Sequence, residues 1–206
     1  MDGAPAYTSF SLTHVNYNPH DRVSYLCAWL AIVPQGLCVA YATLIYSTRE
    51  IEIILMFAGQ MACEAVNFIL KRIIKEERPK QMHGKGYGMP SSHAQFVTFF
   101  SVHLALFLLL RHTPPKITKP SHTPLPFYQR LGLSIAALIC AGLVAGSRIY
   151  LNYHTPKQVL VGVAAGFSKG LGGGRRPAPV WLGEMGREEG AIPYTPKRPK
   201  DKETVA

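Results

Sequence analysis

The chain has 206 residues, 48% of them apolar and 17% charged, with a formal net charge of +10 and four cysteines. That length allows one domain or two small ones, and charge is sparse against the roughly 25% usual in globular domains. A mean hydropathy of +0.08 conceals an uneven distribution: residues 24–46, 94–110 and 131–147 contain no Asp, Glu, Lys or Arg, and 51–70 carry only Glu52 and Glu64. About 20 helical residues cross a hydrocarbon core of about 30 Å, so these runs read as membrane spans and exclude a soluble single-core protein. The fold class expected is all-α: a polytopic membrane helical bundle of four full spans plus a truncated fifth, with a disordered C-terminal tail. The excess positive charge lies outside the spans, where basic loops suit lipid head groups or phosphorylated substrates, and no nucleic-acid partner is expected.

Residues 1–23 form a polar segment without the basic stretch and short apolar run of a cleaved leader. The first span covers about Ser24–Tyr46, with Pro34 and Gly36 expected to kink it. A turn at Ser47–Glu50 leads to a second span, Ile51–Ile74, then a basic glycine-containing loop to Ser92 and a third span at about Ala94–Leu110. The following loop holds His112-Thr113-Pro114 and His122-Thr123-Pro124, whose spacing fits no common zinc pattern. A fourth span is predicted at about Leu131–Ser147, and a fifth apolar segment begins near Pro156 and breaks off at Phe167, too short to cross a bilayer alone. From Ser168 the composition is that of a linker or disordered tail, including the Gly172–Arg176 stretch. The expected division is therefore 1–23, a membrane domain 24–167, and a tail 168–206, which is either natural or, the favoured reading, marks where the reading frame leaves a membrane protein before its last helices. The cysteines Cys27, Cys38, Cys63 and Cys140 all fall in apolar runs and read as small buried residues, not as a disulfide framework or a metal site.

Four spans put the N-terminus, the loop 71–92 and the segment 148–157 on one face, which carries nine Lys and Arg against five on the other. The positive-inside rule would weakly place that face in the cytosol, but several of those cations have another candidate task. The run Lys71-Arg72-Ile73-Ile74-Lys75-Glu76-Glu77-Arg78-Pro79 puts Lys71 and Arg78 seven residues apart, two turns on one face if the helix continues. Such a pair suits an oligo-anion, Arg as a planar fork and Lys as a mobile point charge. Pro90-Ser91-Ser92-His93 opens the third span, and Ser92 with Gln95 has capping-box spacing that sets His93 in the first helical turn. A helix start is an anion site, and a histidine there can exchange a proton near pH 7. Ser147-Arg148-Ile149-Tyr150-Leu151-Asn152-Tyr153-His154 is followed by Thr155-Pro156-Lys157-Gln158, a second capping-box pattern with proline at the first helical position. Each run alone can be read blandly, as a basic helix end, a plain cap and a snorkelling arginine. Three on the same side of four spans point to phosphate.

The combination Lys-x6-Arg-Pro, Pro-Ser-x-His and Ser-Arg-x5-His, in that order over about Leu12–Phe167, resembles the type 2 phosphatidic acid phosphatase superfamily. Leu12-Thr13-His14-Val15, Gly86-Tyr87-Gly88-Met89-Pro90-Ser91-Ser92-His93 and Tyr153-His154-Thr155 are similar to its dolichyl diphosphate phosphatases. The resemblance implies a phosphohydrolase that uses no metal and no cofactor. By it His154 is the nucleophile, forming a phosphohistidine, and His93 protonates the leaving lipid phosphate. Lys71, Arg78 and Arg148 bind the non-bridging oxygens, with Ser91 and the Ser92 amide completing the cradle. The implied substrate is dolichyl diphosphate in the endoplasmic reticulum membrane, with the site facing the lumen and the lipid carrier of N-glycosylation recycled; protein partners are not implied.

One position departs from the superfamily. An Asp commonly stands four residues after the nucleophilic histidine, where this chain has Gln158. Its amide oxygen can orient the imidazole but adds no charge. Two rivals stand beside the main expectation: a phosphatase for another lipid phosphate or isoprenyl diphosphate, and a truncated non-enzymatic membrane chain whose fifth helix is too short to hold His154 and Gln158 in place. A haloperoxidase using the same oxyanion pocket is disfavoured by the spans. Glu64, costly mid-span, reads either as a structural polar contact, with His103 or Asn67, or as a substrate-positioning group.

Overall fold

The computed structural model describes residues 8–10, 15–79, 86–111 and 125–175. Among them are six α-helices: α1 (Arg22–Leu30), α2 (Val33–Thr48), α3 (Ile51–Ile74), α4 (Ser92–Leu106), α5 (Phe127–Tyr150) and α6 (Pro156–Arg175). A π-helical turn, Phe107–Arg111, continues α4. Four stretches are long and apolar enough to cross a membrane: Arg22–Thr48, Ile51–Ile74, Ser92–Leu110 and Phe127–Tyr150. The expected helical bundle is thus present, with one addition in the polar N-terminal segment. There β1 (Thr8–Phe10) and β2 (Val15–Tyr17) pair antiparallel, Thr8 opposite Tyr17. Leu12–His14, the two His-Thr-Pro triplets and residues 176–206 lie outside the described residues.

The first span is two helices, broken at Ala31 and Ile32. Pro34 sits in the first turn of α2, where its missing N–H leaves no interior bond unmade, so the expected kink is a clean restart. Asp21 caps α1, its Oδ1 accepting from the Val23 N–H at 2.9 Å, while its Oδ2 accepts from the Tyr150 hydroxyl at 2.7 Å. One carboxylate thereby ties the start of α1 to the end of α5. Arg49, at φ 53°, closes α2 and reverses the chain into α3.

At the centre runs α4, buried at nearly every position from Ala94 to His103. A helix apolar on all sides belongs in the middle of a bundle. Polar side chains serve as inter-helix ties within it: Ser101 Oγ donates to the Ala137 carbonyl of α5 at 2.8 Å, and Gln60 Nε2 of α3 donates to the Phe96 carbonyl at 3.1 Å.

The fifth segment requires a correction. Helix α6 does not stop at Phe167 but runs 20 residues to Arg175, taking in residues 168–175 of the expected tail and most of the expected linker. The reason is a glycine stripe with a four-residue repeat, Gly162, Gly166 and Gly170, laid along α4. A Cβ on Gly162 would stand 2.7 Å from the Ser91 carbonyl oxygen, one on Gly166 closer still to that of Gln95, and one on Gly170 3.0 Å from Val102 Cβ. Glycines that read as linker composition are a contact face letting two backbones approach, as small-xxx-small repeats do in membranes. The truncated non-enzymatic reading loses its premise, since a full helix stands behind His154 and Gln158.

Candidate active site

The site is assembled where α5 ends and α6 begins. Asn152, in the left-handed region at φ 56°, turns the chain off α5. The Tyr153 and His154 N–H groups then both donate to the Arg148 carbonyl, at 3.0 and 3.2 Å, so the nucleophile candidate is fastened to the last turn of the preceding helix. Arg148 is buried, its guanidinium stacked 4.3 Å above the Tyr153 ring. The Tyr153 hydroxyl accepts from the Asn16 N–H at 2.8 Å, and Tyr153 packs with Val15, Ala28 and Ala31, which holds the strand pair over this corner.

The capping box at the start of α6 forms as expected. The Gln158 N–H donates to Thr155 Oγ1 and the Thr155 N–H to Gln158 Oε1, both at 3.3 Å. Gln158 is wholly buried, and each end of its amide is engaged. Its Nε2 donates to the Glu77 carbonyl at 2.8 Å and to Glu76 Oε1 at 3.1 Å. Both of those partners are acceptors, so the NH2 end faces them and Oε1 faces His154 Nδ1, 3.2 Å away. Nδ1 must then carry the imidazole hydrogen, leaving Nε2 with the free lone pair. Gly88 makes room for this arrangement: a Cβ there would stand 2.7 Å from Gln158 Oε1, and its N–H donates to the Glu76 carbonyl at 2.7 Å.

On the opposite wall, α3 and α4 share a buried polar chain. Lys71 Nζ donates to Ser92 Oγ, which donates to Asn67 Oδ1 at 3.2 Å. Asn67 Nδ2 donates to Gln95 Oε1 at 2.7 Å, and Gln95 Nε2 to the Cys63 carbonyl at 2.8 Å. Two expectations are corrected here. Ser92 and Gln95 form no capping box: Ser91 is the N-cap residue and makes no side-chain cap, and the wholly buried Gln95 spends its amide on α3. Nor do Lys71 and Arg78 lie two turns apart on one helix, since Lys75 at φ 52° ends α3 and returns its N–H to the Lys71 carbonyl. His93 does fall in the first turn of α4, and its Nε2 lies 3.3 Å from the Ala31 carbonyl in the α1–α2 break. A carbonyl only accepts, so that nitrogen carries a hydrogen. Glu64 opens onto a small cavity that His93 and Ser92 also line, while the Asn67 amide is engaged by Gln95 and Ser92.

Electrostatically the two walls form one site. Burial first, then Arg148 and Arg78, with Lys71 adding less, push the His154 imidazole down to about 4 against a small upward pull from Gln158. The charges of Arg148 and Lys71 both reach His93. Ser91 joins through its N–H, which donates to the Gln158 carbonyl at 3.2 Å. Within this ring several buried donors have no hydrogen-bond partner among the described residues: Arg148 Nε and Nη1, Arg78 Nε and Ser91 Oγ. Buried guanidinium nitrogens and hydroxyls are seldom left unpaired, and such a set around a neutral imidazole can receive a tetrahedral anion. All eight residues singled out in the sequence are thus brought to one corner.

The model of the PAP2 superfamily matches residues 51–172. The chain belongs to the PAP2 superfamily. A Neurospora crassa protein, provisionally named a dolichyldiphosphatase, is 51% identical over 80% of this chain and 75% of its own length. Human dolichyldiphosphatase 1 is 41% identical over 76% of this chain and 66% of its own length, and the Dictyostelium discoideum protein of the same name 36% identical over 86% and 72%. The fold is like that of a transmembrane PAP2-type phosphatidylglycerolphosphate phosphatase from Bacillus subtilis, with a TM-score of 0.54 and 21% identity over 81% of this chain and 74% of that one. This PAP2 chain is a multi-pass membrane phosphohydrolase.

Sequence reasoning passed over Glu76, Tyr153 and the Asn67–Gln95 pair as working parts. For the last a signal existed: uncharged amides inside otherwise apolar spans rarely stand there without a partner. For Glu76 there was none, because its partner lies 82 positions away.

Proposed function

We propose that this phosphohydrolase cleaves dolichyl diphosphate to dolichyl phosphate and inorganic phosphate, without a metal, through a phosphohistidine on His154. The observation that carries the reading is the set of buried donors on Arg148, Arg78 and Ser91, without partners among the described residues, around an imidazole whose Nδ1 is already committed to Gln158. In the first step the His154 Nε2 lone pair attacks the terminal phosphorus. The bridging P–O bond breaks, its electron pair stays with the lipid monophosphate, and protonated His93 gives that oxygen a proton. Water then attacks the phosphohistidine with His93 taking its proton, the P–N bond breaks, and inorganic phosphate leaves with both histidines restored. Lys71, Arg78 and Arg148 stabilise charge on the transferring group, which is the larger part of phosphoryl-transfer catalysis. The names of the relatives support dolichyl diphosphate as substrate. From that follow a place in the endoplasmic reticulum membrane, a site facing the lumen, and recycling of the lipid carrier for N-glycosylation.

The test is phosphate release from dolichyl diphosphate in detergent with EDTA, beside the His154→Asn variant. Release is expected to survive EDTA and to fall by about 10⁴-fold in the variant. Loss of release with EDTA, or an active variant, overturns the mechanism. Preferential competition by another lipid phosphate moves the substrate while leaving the site unchanged.

A further inference from the structure

We infer that Glu76 is a positioning residue: its carboxylate fixes the orientation of the Gln158 amide, and through it the tautomer of His154. The inference rests on the phosphohistidine reading and extends it. A carboxylate four residues after the nucleophile presents an acceptor whichever way it turns. An amide does not, because rotating it by half a turn exchanges oxygen for NH2 at almost no change of shape. With the NH2 end toward His154, Nδ1 would have to accept, the hydrogen would move to Nε2, and the nitrogen that attacks phosphorus would have no lone pair. Within the capping box the Thr155 N–H, 3.3 Å from Oε1, favours one orientation of the amide, and a lock outside the box adds to it.

The segment after α3 supplies it. Glu76 Oε1 and the Glu77 carbonyl both accept from Gln158 Nε2, at 3.1 and 2.8 Å, and the flipped amide would aim its oxygen at two acceptors. The Gln158 bond, then Lys157, hold the Glu76 carboxyl below the usual carboxylate range, so at neutral pH it accepts only. Its other oxygen, Oε2, meets Lys157 Nζ at 3.2 Å. That ion pair is largely exposed on the lysine side, and such pairs contribute little. The charge absent from position 158 is thus present one hydrogen bond further out, on a residue from another part of the chain.

The test uses the full chain in detergent with ¹⁵N-labelled histidine, the His154 signals assigned by difference from His154→Asn. In the unsubstituted chain His154 is expected to be protonated on Nδ1 and bare on Nε2. Glu76→Gln keeps an acceptor and should stay within about threefold in kcat, whereas Glu76→Ala should lose about tenfold. Glu76→Lys, a donor only, should shift His154 toward the Nε2–H form and cost about 100-fold in kcat with KM within about threefold. Lys157→Ala breaks the ion pair without touching the lock and should stay within about twofold. The inference is overturned if the unsubstituted chain carries the hydrogen on Nε2, if Glu76→Ala and Glu76→Lys leave the tautomer unchanged, or if Lys157→Ala costs as much as Glu76→Ala. A chain silent toward dolichyl diphosphate would count against the proposed substrate, while the nitrogen signals still decide the role of Glu76.

Discussion

A histidine that attacks phosphorus has to be neutral, and the surroundings of His154 make it so well before pH 7. It is buried, it faces Arg148, Arg78 and Lys71 across the site, and the Gln158 oxygen pulls weakly the other way, so the imidazole is pushed down to about 4. The sign follows directly. Above about 6.5 both folded and unfolded chains hold this imidazole neutral; between about 6.5 and 4 the unfolded chain binds a proton that the native one refuses. Stability drawn from this group is therefore complete above 6.5 and lost as pH falls towards 4. An NMR titration of His154 in the intact protein should find its midpoint near 4, and a midpoint at or above 6 would contradict the cationic surroundings described. At this scale the sequence made the capping box beside His154 readable, because Thr155-Pro156-x-Gln158 is a local pattern. It could not make Glu76 readable, because the lock on Gln158 exists only once the end of α3 and the start of α6 meet.

Among the helices, the informative element is α6. Composition pointed to a linker from Ser168 onward, and the misreading has a physical cause: glycine lowers hydropathy and helix propensity alike, so a stripe serving close approach is invisible to any apolar period. Its repeat of four was in the sequence all along, but only α4 gives it meaning. Gly166→Ala should force α6 off the Gln95 carbonyl and cost about 1–3 kcal/mol, read as a lowered Tm in detergent. Gly132→Ala, on a part of α5 with nothing within 4 Å, should change stability by no more than about 1 kcal/mol. The α3 bounds, by contrast, coincide with the predicted span Ile51–Ile74, although its sequence did not show that Lys75 would end the helix short of Arg78.

For the molecule as a whole, hydropathy settled the number of spans and their order, while the way they surround α4 came only with the structure. The site draws on α3, the start of α4, the end of α5 and the start of α6, so it depends on the bundle closing. A chain ended after Phe167 would lose Gly170 and its seat against Val102 and the Phe99 carbonyl. It should melt at lower temperature and lose activity in proportion to the fraction unfolded, as thermal denaturation and phosphate release on one preparation would establish.

The four-residue repeat of that stripe has a consequence of its own. Slid by about 6 Å, one repeat along the axis, α6 would present a glycine to α4 wherever it presented one before. The stripe is a smooth rail: it sets how near the two helices run but not where along each other they stop. The detent is at the polar end, where the Ser91 N–H meets the Gln158 carbonyl and the Gln158 amide is held on both sides. The bonds proposed to prepare His154 for chemistry are also the ones that stop the helix from sliding.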